Sequence, residues 1–332
     1  MTKSNVKESE TGLAGQSGNR AGKGIDRDPD ANLNLVTIRD YLRYGVSQFE
    51  RAGLVYGHGT ETSLDEAAFL ILATLDLPID QLEPWLDARL TDRERGAVLD
   101  VISKRVTTRK PAPYLVGQAY IQQYKFQVDE RVIIPRSFLG ELLVDGLDGV
   151  VDHAYQVERV LELCTGSGCL AVIAAHEFPN AEIIATDISP DALEVAKANI
   201  SAYGLKDRVT LMTADVFQSI DPGDGFDLII SNPPYVRASA VASFPPEYAA
   251  EPAVAHDGGV DGLDLVHRIL LEAGPYLSED GILVVEVGQE RDAIEAAYPD
   301  VPFMWLDTQA SAGEVLSVTA SDLLETYDLM SG

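Results

Sequence analysis

The sequence predicts an α/β chain in which a small helical bundle and a β-hairpin precede a doubly wound parallel sheet. Three observations carry this. Beyond about residue 155, short apolar runs alternate with helical stretches, the pattern of parallel strands joined by crossover helices. A strand that opens into a glycine turn and a helix stands at residues 160–171. Between 34 and 110, apolar residues recur instead at helical spacing.

Residues 1–32 are rich in Gly, Ser, Asn, Asp and Lys with almost no apolar anchors, and read as a disordered tail. Ile38, Leu42, Val46 and Phe49 then share one helix face. Ser63 with Glu66, and Thr91 with Glu94, fit capping boxes, where hydroxyl and carboxylate satisfy the free amides of a helix start. Val98, Ile102 and Val106 continue a stripe behind the second box until Pro111 and Pro113 stop it. From Tyr114 to Ile134 the period drops toward two: Tyr124, Phe126 and Val128, then Val132 and Ile134, as in a β-hairpin. Strands are expected at 159–164, 181–187, 208–212, 226–231 and 281–287, and helices at 169–177, 190–203 and 263–277. The segments 302–307 and 314–319 fit an antiparallel edge pair. The expected division is a tail over 1–32, a helical domain over 33–112, a hairpin linker over 113–136 and a sheet domain over 137–332.

Composition excludes several classes. With 332 residues, 46% of them hydrophobic, the chain has the makeup of a globular protein rather than a disordered or fibrous one. No apolar run approaches the roughly 20 residues that cross a bilayer, and the first 30 lack a signal-peptide stretch. The default location is the cytoplasm, with no membrane partner. Cys164 and Cys169 cannot build a disulfide framework, and the five histidines share no ligand spacing with them, so no metal is expected. Net charge is −28, of which residues 141–332 carry −27, with 7 basic and 34 acidic side chains. Such a surface repels a phosphate backbone and attracts cationic partners. The same acidity also fits plain solubilisation or a salty habitat, since Asp outnumbers Glu and Arg outnumbers Lys.

The turn Cys164-Thr165-Gly166-Ser167-Gly168-Cys169 follows an apolar strand that contains Glu162. Gly166 and Gly168 let the backbone approach a ligand closely. Asp187 lies 21 residues beyond Gly166, at the end of the next strand, placed to accept hydrogen bonds from a ribose diol. Residues 166–171 also satisfy the dinucleotide pattern GxGxxA. Against a nicotinamide enzyme stand Glu162, which suits a cationic, amino-acid-bearing ligand, and the Thr165-Gly166 opening seen in S-adenosylmethionine enzymes. Asp215, beside Val216, follows the third strand, where it would meet the exocyclic amine of an adenine. Both cysteines also fit simple packing, and Glu162 a turn partner.

Ser231-Asn232-Pro233-Pro234-Tyr235 follows the strand Phe226–Ile230. Two prolines at a strand end fix a rigid extended loop whose carbonyls no local amide pairs. Asn232 and the Pro233 carbonyl can each accept one N–H of a planar –NH₂ group while Tyr235 covers its face. That is what methylation of a conjugated amine requires: the delocalised lone pair must be aimed in line at the methyl group, at about 3–3.5 Å.

On these motifs the chain resembles the class I S-adenosylmethionine methyltransferases, and within them the HemK-like protein glutamine N(5)-methyltransferases. The resemblance spans about residues 35–320. It implies a helical N-terminal domain that recognises substrate, a hairpin linker and a seven-stranded Rossmann-like methyltransferase domain. Asp129-Glu130-Arg131-Val132-Ile133-Ile134-Pro135-Arg136-Ser137 is similar to the branch that acts on the third protein of the large ribosomal subunit. The branch that acts on release factors usually has a second proline where Ser137 stands. Pro245-Pro246-Glu247-Tyr248 with Glu251-Pro252 is also similar to the ribosomal branch. The resemblance implies S-adenosylmethionine as cofactor, held by Glu162, Cys164, Thr165, Gly166, Gly168, Asp187, Ile188, Asp215, Val216 and Asn232. It implies Asn232, Pro233, Pro234 and Tyr235 at the target amide. Arg136 would lie near the methionine end of the cofactor or tie the hairpin to the sheet domain. Leu316 stands where the family leads one to expect an aromatic residue, which leaves the packing of the last strand open.

Lys104, Arg105, Arg109 and Lys110 form the one basic cluster, read as a solvated helix end in preference to an RNA contact. The alternatives are a release-factor methyltransferase, separated chiefly by Ser137, an adenine-amine nucleic-acid methyltransferase, and a non-catalytic cofactor-binding protein. The acidic sheet domain argues against direct DNA binding. Oligomeric state is not legible.

Overall fold

The computed structural model describes residues 34–223, 225–308 and 312–331; the expected tail lies outside them. Helices α1 (Ile38–Ala52), α2 (Ser63–Thr74), α3 (Asp92–Thr108) and α4 (Ala112–Val116) come first. They pack around Ile38, Tyr41, Phe49, Leu70, Ile71, Val98 and Ile102. The buried face of α1 includes Tyr41 and Gly45, while Val46 lies at its edge. Thr91 and Glu94 form the expected capping box. The box expected at Ser63 and Glu66 is instead a Thr62 cap, which accepts from the amide of Asp65. Glu66 is unavailable for capping because it turns inward, where its Oε1 accepts from Arg105 Nε at 2.7 Å.

Strands β1 (Gln118–Ile121) and β2 (Tyr124–Gln127) make the hairpin. Val132 and Ile134, expected to extend it, lie beyond the paired residues. Both are buried in a loop, where the Val132 carbonyl accepts from Tyr114 Oη and the Ile134 amide donates to Glu251 Oε1.

Helix α5 (Phe138–Val144) leads into the main sheet. Its strands are β3 (Arg159–Leu163), β4 (Glu182–Asp187), β5 (Val209–Thr213), β6 (Phe226–Ser231), β7 (Leu277–Glu286), β8 (Met304–Asp307) and β9 (Ala312–Thr319). Seven strands stand in the order β5-β4-β3-β6-β7-β9-β8, parallel through β7, with β9 antiparallel to both β7 and β8. The order in which strands are added reverses between β3 and β6, which stay parallel, so the carboxyl ends of these strands border the crevice where such sheets bind ligands. Two apolar layers cover the faces. Leu170, Val172 and Ile173 of α6 (Cys169–Glu177) belong to one, and Val266, Ile269 and Leu270 of α9 (Asp264–Glu272) to the other. Helix α7 (Pro190–Ala202) follows β4, and the short α8 (Ala238–Val241) follows β6. The expected helix 263–277 ends at Glu272, because Pro275 sits in a separate 3₁₀ turn and β7 begins at Leu277. Helices α10 (Arg291–Ala297) and α11 (Ala320–Ser331) were not expected from the pattern. Leu316 is fully buried and pairs with Val285 and Trp305, so the last strands pack without the aromatic residue.

Among the described residues no helix is long and apolar enough to cross a membrane, and no His, Cys, Asp and Glu cluster could hold a metal ion.

Candidate active site

A cavity of about 680 Å³ opens at the carboxyl ends of β3, β4 and β6. Of the residues singled out above, Glu162, Cys164, Thr165, Gly166, Asp187, Ile188, Asp215, Val216, Asn232, Pro233, Pro234, Tyr235 and Arg136 all line it. Gly168 is outside the lining: its φ of +77° and the 3.0 Å that would separate a Cβ from Ala196 Cβ make it a packing glycine at the start of α6. Gly166, at φ +54°, faces open space, where a Cβ would meet only Ile133 at 3.9 Å.

Carboxylates dominate one wall. Glu162 is fully buried on β3; its Oε2 accepts from Thr165 Oγ1 at 2.6 Å and its Oε1 has no partner among the described residues. Burial pushes its carboxyl up to about 8. Asp187 accepts the amides of Gly166 (2.8 Å) and Ser189 (2.9 Å), which fixes the carboxylate and leaves each oxygen a second lone pair. Burial raises Asp187 as well. Asp215 is paired with Arg268 Nη1 of α9 at 2.8 Å. Ile188 is 56% exposed, an apolar side chain at the mouth of an otherwise polar wall. Cys164 and Val216 both hold positive φ, +59° and +52°, unusual for non-glycine residues and strained for a β-branched one. The thiols of Cys164 and Cys169 are both pushed up to about 12 by burial, so neither is a nucleophile at neutral pH.

The opposite wall is the loop after β6. No donor among the described residues reaches the carbonyls of Pro233 or Pro234, and the Asn232 carboxamide is likewise without a partner. Tyr235 is held from behind. Its hydroxyl donates to Glu286 Oε1 at 2.9 Å, and its ring lies so close to Gly288 that a Cβ there would sit 2.7 Å from Cε2.

The rim is locked by the segment 245–256. Glu251 accepts both Arg136 guanidinium nitrogens (2.6 and 2.7 Å), the Ile134 amide (2.9 Å) and His256 Nε2 (3.0 Å). Its carboxyl is held well below the ordinary range: burial would raise it, but the hydrogen bonds from His256 and Arg136, with His58 Nε2 3.5 Å away, outweigh that. Glu247 accepts from the Val55 amide at 3.1 Å and from Arg109 Nη2 at 2.6 Å. The basic cluster is therefore a solvated helix end only at its lysines, and its arginines turn inward. Arg105 is fully buried against Glu66, Arg109 reaches Glu247, and Lys104 and Lys110 pair with Asp100 and Glu130. Arg105, the buried cation, needs such a partner, whereas Lys104 and its partner Asp100 stay exposed.

Glu286, Arg268 and the two rim glutamates escaped sequence reasoning. Glu286 carried a signal as a lone carboxylate in an apolar strand, like Glu162, and the rim glutamates stood out only as part of the family-like segment 245–252, without a role.

A doubly wound sheet with this crevice, its strand-end carboxylates and its Asn-Pro-Pro-Tyr loop defines a methyltransferase of class I architecture, and residues 140–244 match the family model described as Methyltransferase small domain. The ribosomal protein uL3 glutamine methyltransferase of Bradyrhizobium diazoefficiens is 52% identical over 296 residues, covering 87% of this chain and 92% of its own length. That of Bordetella pertussis is 50% identical over 289 residues, covering 87% of this chain and 97% of its own. That of Neisseria meningitidis serogroup A is 51% identical over 294 residues, covering 89% and 96%. The chain belongs to the ribosomal protein uL3 glutamine methyltransferase family.

Proposed function

We propose that this enzyme transfers a methyl group from S-adenosylmethionine to the side-chain amide nitrogen of a glutamine in ribosomal protein uL3. The observation that carries the reading is the pair of free acceptors at the end of β6, the Asn232 carboxamide and the Pro233 carbonyl. A primary amide presents two N–H donors in one plane, and two fixed acceptors meet that demand. An ammonium or a hydroxyl presents a different donor set.

The carboxylate wall fits the cofactor. Glu162, with one buried oxygen unsatisfied, suits a cationic amino-acid group; Asp187 suits a diol and Asp215 an exocyclic amine. Ile188 offers an exposed apolar contact, while Cys164, Thr165, Gly166, Val216 and Asn232 complete the cradle, and Gly168, outside the lining, shapes the turn behind it. When bound, the cofactor supplies a methyl group made electrophilic by its sulfonium sulfur. A volume of about 680 Å³ lies within the usual range for a ligand pocket of roughly 300–1,000 Å³.

The chain's own work is positioning. Asn232 and the Pro233 carbonyl accept hydrogen bonds from the two amide N–H groups, which leaves more electron density on a nitrogen whose lone pair is delocalised, and they fix its direction. The nitrogen becomes acidic as it gains the methyl group, so no strong base is required. Pro234 keeps the loop extended, and Tyr235 walls the amide. Arg136, anchored by Glu251, keeps the hairpin side of the cavity in register.

The helical bundle recognises the substrate in this reading, and the acidic residues of 141–332 draw in a cationic ribosomal protein. Mass spectrometry of unmethylated uL3 after incubation should locate one new methyl group on a glutamine side chain. Methylation of a lysine or of the protein's amino terminus overturns the reading.

A further inference from the structure

Glu286 ends β7 on the side of the sheet where the target amide is held. It is 1% exposed, and three donors converge on it. Oε1 accepts the Tyr235 hydroxyl at 2.9 Å; Oε2 accepts the Ser137 hydroxyl at 2.5 Å and the Leu139 amide at 3.1 Å. The Ser137 oxygen itself accepts the Gly140 amide at 3.3 Å, which directs its proton to Glu286. A buried carboxylate that serves stability alone is a poor solution, since an apolar side chain of similar volume commonly does as well or better. What a carboxylate does here is fix the direction of the Tyr235 phenol, and Gly288 lets the ring settle against the backbone.

We propose that Glu286 is a positioning residue for methyl transfer, acting through Tyr235, and that Ser137 holds Glu286 in that role. The chain Ser137–Glu286–Tyr235 links the entry to α5, the end of β7 and the loop after β6, three segments far apart in sequence. Position 137 thereby bears on the target amide through two hydrogen bonds. Alanine there keeps the backbone but loses the donor to Oε2. The inference rests on the glutamine reading of the site.

The test is a mutant cycle in the full chain with unmethylated uL3, following kcat, KM and the Kd for S-adenosylmethionine. Tyr235→Phe, which removes the hydroxyl and keeps the ring, should lower kcat by about 10- to 100-fold, the scale of a small misplacement at a reacting centre. Ser137→Ala should lower kcat by about 3- to 10-fold, and cofactor Kd should stay within about 3-fold in both. The decisive result is the double variant Tyr235→Phe with Ser137→Ala. If Ser137 acts through Glu286 on Tyr235, the double variant is no slower than Tyr235→Phe alone. Losses that multiply, or a Tyr235→Phe enzyme with wild-type kcat, overturn the proposal. Glu286→Gln should retain more turnover than Glu286→Leu at equal cofactor Kd; equal loss in both counts against it. Should Glu286→Leu fail to fold, the Tyr235 and Ser137 cycle decides alone. If the wild-type enzyme does not methylate uL3, it is the substrate reading that fails, and the same cycle is read on whichever substrate it methylates.

Discussion

Arg109 Nη2 lies 2.6 Å from Glu247 Oε1, and through this contact the last turn of the helical bundle grips the rim of the cavity. Glu247 is completely buried, also takes the Val55 amide, and lies 3.6 Å from the buried Arg105. The bundle is thus fastened to the segment that closes the site by a buried carboxylate, with Arg105 buried beside it and Arg109 partly exposed.

Glu247→Ala leaves Arg105 and Arg109 short of a partner inside the fold. Removing one member of a buried ionic group costs about 3–5 kcal/mol. Denaturant unfolding should show a loss of this order, and a shift of under about 1 kcal/mol, the scale of exposed pairs, would mark the contact as solvent-like.

In the proposed reading Asn232→Ala removes one acceptor for the target amide and leaves the carboxylate wall intact. Turnover should fall by about 100-fold or more, on the scale of losing a hydrogen bond made to the reacting group. Calorimetric titration with S-adenosylmethionine should still show binding. Full activity in this variant sinks the assignment of the loop.

Glu162 gives the unliganded protein a specific pH dependence. Its carboxyl titrates near 4.5 when unfolded and is raised to about 8 in the fold by burial. Between those values the unfolded chain has lost the proton and the folded chain has kept it, so this group's contribution to stability is lost as pH rises through about 8. Between pH 5 and pH 8 the unfolding free energy should fall more steeply with pH in the wild type than in Glu162→Gln. Equal slopes contradict the burial argument.

Long-range attraction between the acidic sheet domain and a cationic substrate is screened by salt, because the Debye length shrinks from about 10 Å at 0.1 M to about 3 Å at 1 M. Stopped-flow association with uL3 should slow by about 10-fold or more across that range. An unchanged on-rate leaves the acidity as plain solubilisation.

What the sequence made legible was local. β3 and β6 read as buried apolar runs because both faces of the sheet are covered there, whereas β5, at the edge, buries only Val209. The glycine turn and the loop at 232–235 were legible because each concentrates its chemistry in a few consecutive residues. β7 is longer than expected, since Leu277 pairs with Phe226 across an irregular register that breaks the alternation. α5 and α10, seven residues each, offer too few turns for a periodic face. The side chains that hold the site together were hidden for another reason. Arg105 meets Glu66 from 39 residues away, and Glu286 meets Ser137 from 149. Nothing local to either residue of such a pair names its partner before the chain folds.

The central claim is tested most directly by offering the purified enzyme methyl-labelled S-adenosylmethionine with unmethylated uL3, a peptide release factor and bare DNA in parallel. The account predicts label on a glutamine of uL3 alone. Label on the release factor keeps the fold and the chemistry but contradicts the substrate assignment, and label on DNA contradicts the reading of the Asn232–Tyr235 loop as an amide site.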